Sequence, residues 1–63
     1  MYNNVYGFTV FIDMYSGYDR DVSFRTYRQA KAFYDSIADV PYKSITADTD
    51  EGTKILERGG DEI

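Results

Sequence analysis

A single amphipathic segment closed by a proline most constrains this chain. Thr26 is followed three residues later by Gln29, a capping-box spacing in which each side chain can serve an orphan N–H of a first helical turn. Tyr27, Ala30, Phe33, Tyr34 and Ile37 then recur at intervals of three and four and share one stripe of a 3.6-residue helix. Arg28, Gln29, Lys31, Asp35, Ser36 and Asp39 occupy the other side. The residue before Pro41 is pushed out of the α region, so the proline stops the run. The spacing predicts a helix over about 27–38, its aromatic stripe packed on a sheet.

The flanking segments supply that sheet. From Val5 to Met14 the residues Tyr6, Phe8, Val10, Ile12 and Met14 alternate with Val5, Gly7, Thr9, Phe11 and Asp13. This is the period-2 pattern of a strand with one buried face. The even residues are expected to face the helix, leaving Val5, Phe11 and Tyr15 on the odd side. Tyr15-Ser16-Gly17 reads as a three-residue hairpin loop with Gly17 in the left-handed conformation. Asp19 to Arg25 follows as a second strand. With that loop, Val10 opposes Val22 and Phe8 opposes Phe24, core against core. A two-residue loop would set Val10 against Ser23, on the wrong face. The same register places Asp13 across from Asp19, with Asp21 two residues beyond.

After the helix, Tyr42 to Ala47 reads as a third strand, and 48–52 as a polar connection. Residues 53–58, Thr-Lys-Ile-Leu-Glu-Arg, fit a fourth strand or a short helix capped by Asp48 or Thr49. Gly52 inside such a helix would cost about 1 kcal/mol, and its place suits a hairpin better. The tail from Gly59 to Ile63 is expected to fray. The fold class is α+β: ββαββ, an antiparallel sheet of three to four strands with one helix on one face.

With 63 residues there is one domain, 1–63, and a chain this short buries only about 60% of its unfolded surface. Domains of this size usually gain support from disulfides, metals or association. The chain has no Cys and no His, which excludes disulfides and the common zinc sites and leaves association. No cofactor is expected. Asp48, Asp50 and Glu51 with Gly52 lack the spacing of a calcium loop and read as a turn. Asp13, Asp19 and Asp21 fall short of the ligand number an oxygen cage needs. No apolar run approaches the roughly 20 residues of a membrane span, and the N-terminal residues lack a signal-peptide pattern. A cytoplasmic protein is expected.

Eleven acidic residues against seven basic ones give a net charge of −4. That sign opposes direct nucleic-acid binding and suits docking on a basic protein surface. Seven Tyr and four Phe make 17% of the chain, and tyrosine is favoured at interfaces. No phosphate loop or nucleophile system is present, and a single-layer sheet offers little depth for a catalytic cleft, so no enzyme is expected. The candidate protein-binding residues lie around the first hairpin: Phe11, Asp13, Tyr15, Tyr18, Asp19 and Asp21.

The layout strand, strand, helix, strand, strand, with Phe24-x-Thr26-x-x-x-Ala30-x-x-Phe33-Tyr34 leading into the helix, resembles short acidic proteins of phages and mobile elements. Some of these are inhibitors of bacterial defence, including anti-CRISPR proteins. The resemblance implies a stoichiometric inhibitor acting in a host cytoplasm, some such proteins presenting carboxylates where nucleic-acid phosphates would sit. It carries over no individual residue. A self-associating accessory protein, a homodimer joined by edge strands or by the exposed aromatic sheet face, is the alternative expectation.

Overall fold

Alternation along β1 (Val5–Asp13) makes it the spine of the fold, and the computed structural model describes residues 4–63 around it. β2 (Asp19–Phe24) returns antiparallel through the loop at Tyr15–Gly17, with Phe8 opposite Phe24, Val10 opposite Val22 and Asp13 opposite Asp19. Gly17 takes φ +93°, and its N–H bonds to Met14 O at 3.0 Å, the three-residue loop that the apolar register requires.

The helix α1 (Tyr27–Ser36) then crosses the sheet to the far side of β1. There β3 (Tyr42–Thr49) pairs with β1, and β4 (Gly52–Gly59) pairs with β3. All pairings are antiparallel and the order is β2-β1-β3-β4. The ambiguous segment 53–58 is therefore strand, with Gly52 at φ +108° closing the tight turn. The α+β ββαββ architecture follows.

The core lies where the helix stripe meets the inner sheet rows. Val10 and Ile45 are opposite each other and fully buried, beside Ile12, Ala30, Tyr34 and Val40. Ala30, with no exposed surface, lets the helix backbone approach closely. Phe24 stacks tilted on Phe33 at 5.4 Å and Phe8 meets Tyr27 edge-on at 6.0 Å, geometries that aromatic quadrupoles favour. Tyr34 spans the core with its hydroxyl over Gly59, where a Cβ would stand 2.6 Å from the oxygen. Burial is the main influence pushing the Tyr34 phenol pKa up.

Four expectations are corrected. The helix ends at Ser36 rather than Ala38: Ile37 is already extended (φ −89°, ψ 127°), and its N–H bonds to Tyr34 O. Lys43, on the inner sheet face, reaches up to the carbonyls of Tyr34 and Ile37 at 2.7 and 2.8 Å, a second donor for Tyr34 O and a donor for Ile37 O at the helix end. Its ammonium also lies 4.2 Å from the Tyr34 ring centroid. Tyr6, expected in the core, is 69% exposed because β1 bulges there, Val5 pairing with Thr49 and Gly7 with Asp48. The same bulge takes Val5 out of line with the odd face. The tail does not fray: Asp61 N–H bonds to Val40 O and Glu62 N–H to Pro41 O, at 2.8 and 3.0 Å. Glycine permits this approach, since a Cβ on Gly60 would sit 2.5 Å from Pro41 O.

Thr26 caps α1 as the sequence predicts, accepting from Gln29 N–H at 3.1 Å. The reciprocal half differs, because the Thr26 hydroxyl donates to Gln29 Oε1 at 3.2 Å.

Candidate binding surface

One helix covers only one side of the sheet. The other side is assembled from the odd residues of β1 and β2 and the even residues of β3, continued by Thr53, Ile55 and Arg58 of β4. Its central rows run Asp21–Phe11–Ser44–Arg58 and Ser23–Thr9–Thr46–Ile55, with Asp19–Asp13–Tyr42 at one end. Phe11 and Tyr42 lie diagonally across the β1–β3 pair, ring centroids 6.2 Å apart, and both are half-buried. Between them Ser44 is 3% exposed although it points away from the helix. The open face thus has a small apolar centre.

Carboxylates surround that centre. Asp13 and Asp19 are direct cross-strand partners and both are exposed. Met14 N–H donates to Tyr18 O beside the loop at 2.8 Å, so by alternation the next pair, Asp13–Asp19, is one without main-chain bonds. Side chains stand closest at such pairs, and like charges there are unfavourable. Asp21 faces Phe11 across the same strands. On the far side Asp48 accepts from Thr9 at 3.3 Å and from Thr53 at 3.5 Å.

The ion pairs among the described residues lie elsewhere. Lys31 holds Asp35 at 3.2 Å and Glu57 at 2.7 Å on the helix side, and Lys54 is 3.9 Å from Glu51 at the second hairpin turn. Tyr27 also donates to Glu57. Lys31 and that hydroxyl hold the Glu57 pKa below the usual glutamate value, and the same contact raises that of Tyr27. Hydrogen bonds to Glu57 and Asp35 raise the pKa of Lys31. Asp13, Asp19, Asp21 and Asp48 take part in none of these ion pairs, and Arg58 is a basic residue that the register puts on the same face.

Of the residues expected at this surface, Phe11, Asp13, Asp19 and Asp21 come together. Tyr15 and Tyr18 are 60% and 75% exposed but stand apart from the patch. Tyr15 donates to Asp61 Oδ2 at 2.8 Å, pinning the tail to the hairpin, and this contact leads a rise in its pKa to about 12. Tyr18 aligns with Met14, whose side chain packs toward the core on the helix side. Tyr42 and Asp48 join the surface unforeseen, because it is the sheet order that brings β3 beside β1. The even positions of β3 carry the only sequence signal for them.

At the end of the sheet a shallow cleft of about 320 Å³ opens between the helix C-terminus and the tail, with Lys43, Asp39 and Asp61 on its walls. Asp39 takes φ +60°, a left-handed conformation that aspartate tolerates better than most residues. Two of the Lys43 donors are already committed to helix carbonyls. No helix among the described residues is long and apolar enough to cross a membrane, and no three His, Cys, Asp or Glu side chains among them are placed to hold a metal ion. Comparison with protein-family models finds no match, and neither do comparisons with curated proteins and with solved structures.

Proposed function

We propose that this chain is a non-enzymatic protein-binding module that docks the open face of its sheet on a basic surface of a partner protein. The observation that carries the reading is the grouping of Asp13, Asp19 and Asp21 around Phe11 and Tyr42 on the uncovered face, outside every ion pair described. Retaining Asp13 directly opposite Asp19 costs the fold some stability, which a cation from a partner would recover. An Arg guanidinium suits the arrangement, since its edge pairs with carboxylates while its face stacks on an aromatic ring. Partners rich in such groups are those that handle nucleic acids. In line with the resemblance to phage-type inhibitors, the module would block the protein surface that holds phosphates rather than bind nucleic acid itself.

The test compares charge-matched variants. D13N/D19N/D21N and D35N/D39N/D50N each remove three carboxylates, the first set from the open face and the second from the helix side and turns. Binding of a labelled oligo-arginine peptide is expected to weaken at least tenfold in the first set and to change little in the second. Equal weakening of both sets means that net charge alone governs binding, and the proposed surface is then wrong. Binding by the native chain is also expected to fall steeply with salt, because exposed charges are screened within about 10 Å at 0.1 M and about 3 Å at 1 M.

A further inference from the structure

The edge strand β4, which the helix reaches only through the side chains of Tyr27, Lys31 and Tyr34, carries a second, independent surface. Helix α1 packs on β1, β2 and β3, and β4 forms one edge of the sheet with Ile55 59% and Leu56 45% exposed. Exposed apolar residues on a sheet edge are unfavourable unless something pairs with them.

The geometry of β4 identifies its partner. The register slips between Ile45 and Thr46: Ile45 pairs with Glu57 and Thr46 with Ile55, so Leu56 is an extra residue in the strand. In a regular strand residues three apart point to opposite faces. The bulge cancels that rule here. Lys54 lies opposite Ala47 and Glu57 opposite Ile45, both on the helix side, while Thr53 and Arg58 lie opposite Asp48 and Ser44 on the open side. Antiparallel pairing of two identical edges requires a two-fold axis normal to the sheet, which keeps each face on its own side. Without the bulge, such an axis could not set Lys54 against Glu57. With it, the sequence Gly52-Thr53-Lys54-Ile55-Leu56-Glu57-Arg58-Gly59 is complementary to its own reverse.

The main chain agrees with this register. The Met14–Tyr18 bond commits the even residues of β1 to β2 and the odd ones to β3. By alternation the odd residues of β3 bond to β4, which uses the peptide groups of Lys54 and Glu57. Those of Thr53, Ile55 and Arg58 are left pointing outward.

We propose that β4 pairs antiparallel with β4 of a second copy, Lys54 of each protomer opposite Glu57 of its partner, with Ile55 and Leu56 flanking the axis. Thr53 then faces Arg58 of the partner with both peptide groups directed across the interface. The two sheets become one continuous sheet with both helices on one side and both acidic faces on the other. Glu57 already accepts from Lys31 and Tyr27, and its carboxylate has lone pairs left for a further donor. The bulge and the charges of β4 oppose pairing with an arbitrary strand. They match a second copy of the same strand.

Sedimentation equilibrium over a concentration series up to about 1 mM tests this, a range that reaches weak complexes. The native 7.3 kDa chain is expected to show reversible dimerisation. K54E places two carboxylates face to face at both symmetric positions, and the dimer is expected to weaken by about tenfold or more. I55P removes an outward N–H while leaving the β3 ladder intact, and a folded monomer is expected. K54E lies on the exposed edge and keeps the test open if I55P destabilises the fold. A native chain that stays monomeric throughout, or a dimer indifferent to K54E, overturns the proposal.

Discussion

Substituting Gly60 by alanine probes the tail, the part of the chain least expected to be ordered. Gly60 takes φ +116°, and a Cβ there would lie 2.5 Å from Pro41 O and 2.7 Å from Pro41 C and Tyr42 Cα. Those are backbone atoms inside the fold, so the tail rather than the sheet has to move. Moving it breaks the bonds from Asp61 N to Val40 O and from Glu62 N to Pro41 O. At about 0.5–1.5 kcal/mol each, G60A loses about 1–3 kcal/mol. That is a large share of the roughly 3–9 kcal/mol that a chain of 63 residues commands. Gly17 is the control. It also has a positive φ, +93°, but a Cβ there meets nothing within 4 Å, so G17A incurs only the left-handed strain, about 1–2 kcal/mol. The two losses overlap, and urea unfolding alone cannot separate them. The Tyr15 hydroxyl can. Its bond to Asp61 raises its pKa to about 12. NMR titration of the Tyr15 ring is expected to show that rise lost in G60A, because Asp61 departs with the tail, and retained in G17A. A G60A variant with native stability and an unmoved Tyr15 titration refutes a docked tail.

Other expectations follow from the same contacts. K43M removes the ammonium from the Tyr34 and Ile37 carbonyls and from the Tyr34 ring. A loss of about 1.5–3 kcal/mol is expected in urea unfolding, with hydrogen exchange rising first at the end of α1. T26A deletes the helix cap and is expected to cost about 1 kcal/mol by the same assay. The Glu57 pKa is depressed in the fold. Its contribution is therefore fully present above the unfolded glutamate value near 4.5 and is lost as pH falls through the lower folded value. Unfolding followed between neutral and acid pH is expected to show that loss in the native chain and a shallower one in E57Q.

The parts of the fold legible in the sequence are those fixed by neighbouring residues. Alternation from Phe8 to Met14, together with Gly17, determines a hairpin register because a one-residue slip would turn Val10 to solvent. The Asp13–Asp19 opposition follows from that register alone. What was not legible depends on contacts between distant segments. Nothing in Val5–Met14 says whether the strand has one neighbour or two, so the place of β3, and with it the Phe11–Tyr42 pair, was hidden. Lys43 lies in the segment that reads as a third strand, and nothing in that pattern shows that it caps the helix that precedes it. Gly59-Gly60 reads as a flexible tail, but each glycine clears room for a specific neighbour, the Tyr34 hydroxyl and the Pro41 carbonyl.

The measurement that bears most directly on the binding surface is amide chemical-shift mapping of the chain titrated with oligo-arginine. The open-face reading predicts perturbations centred on Phe11, Asp13, Asp19, Asp21 and Tyr42, fading as salt is raised and absent from D13N/D19N/D21N. Perturbations centred instead on Asp35, Asp39 and Glu57, or persisting in that variant, contradict it.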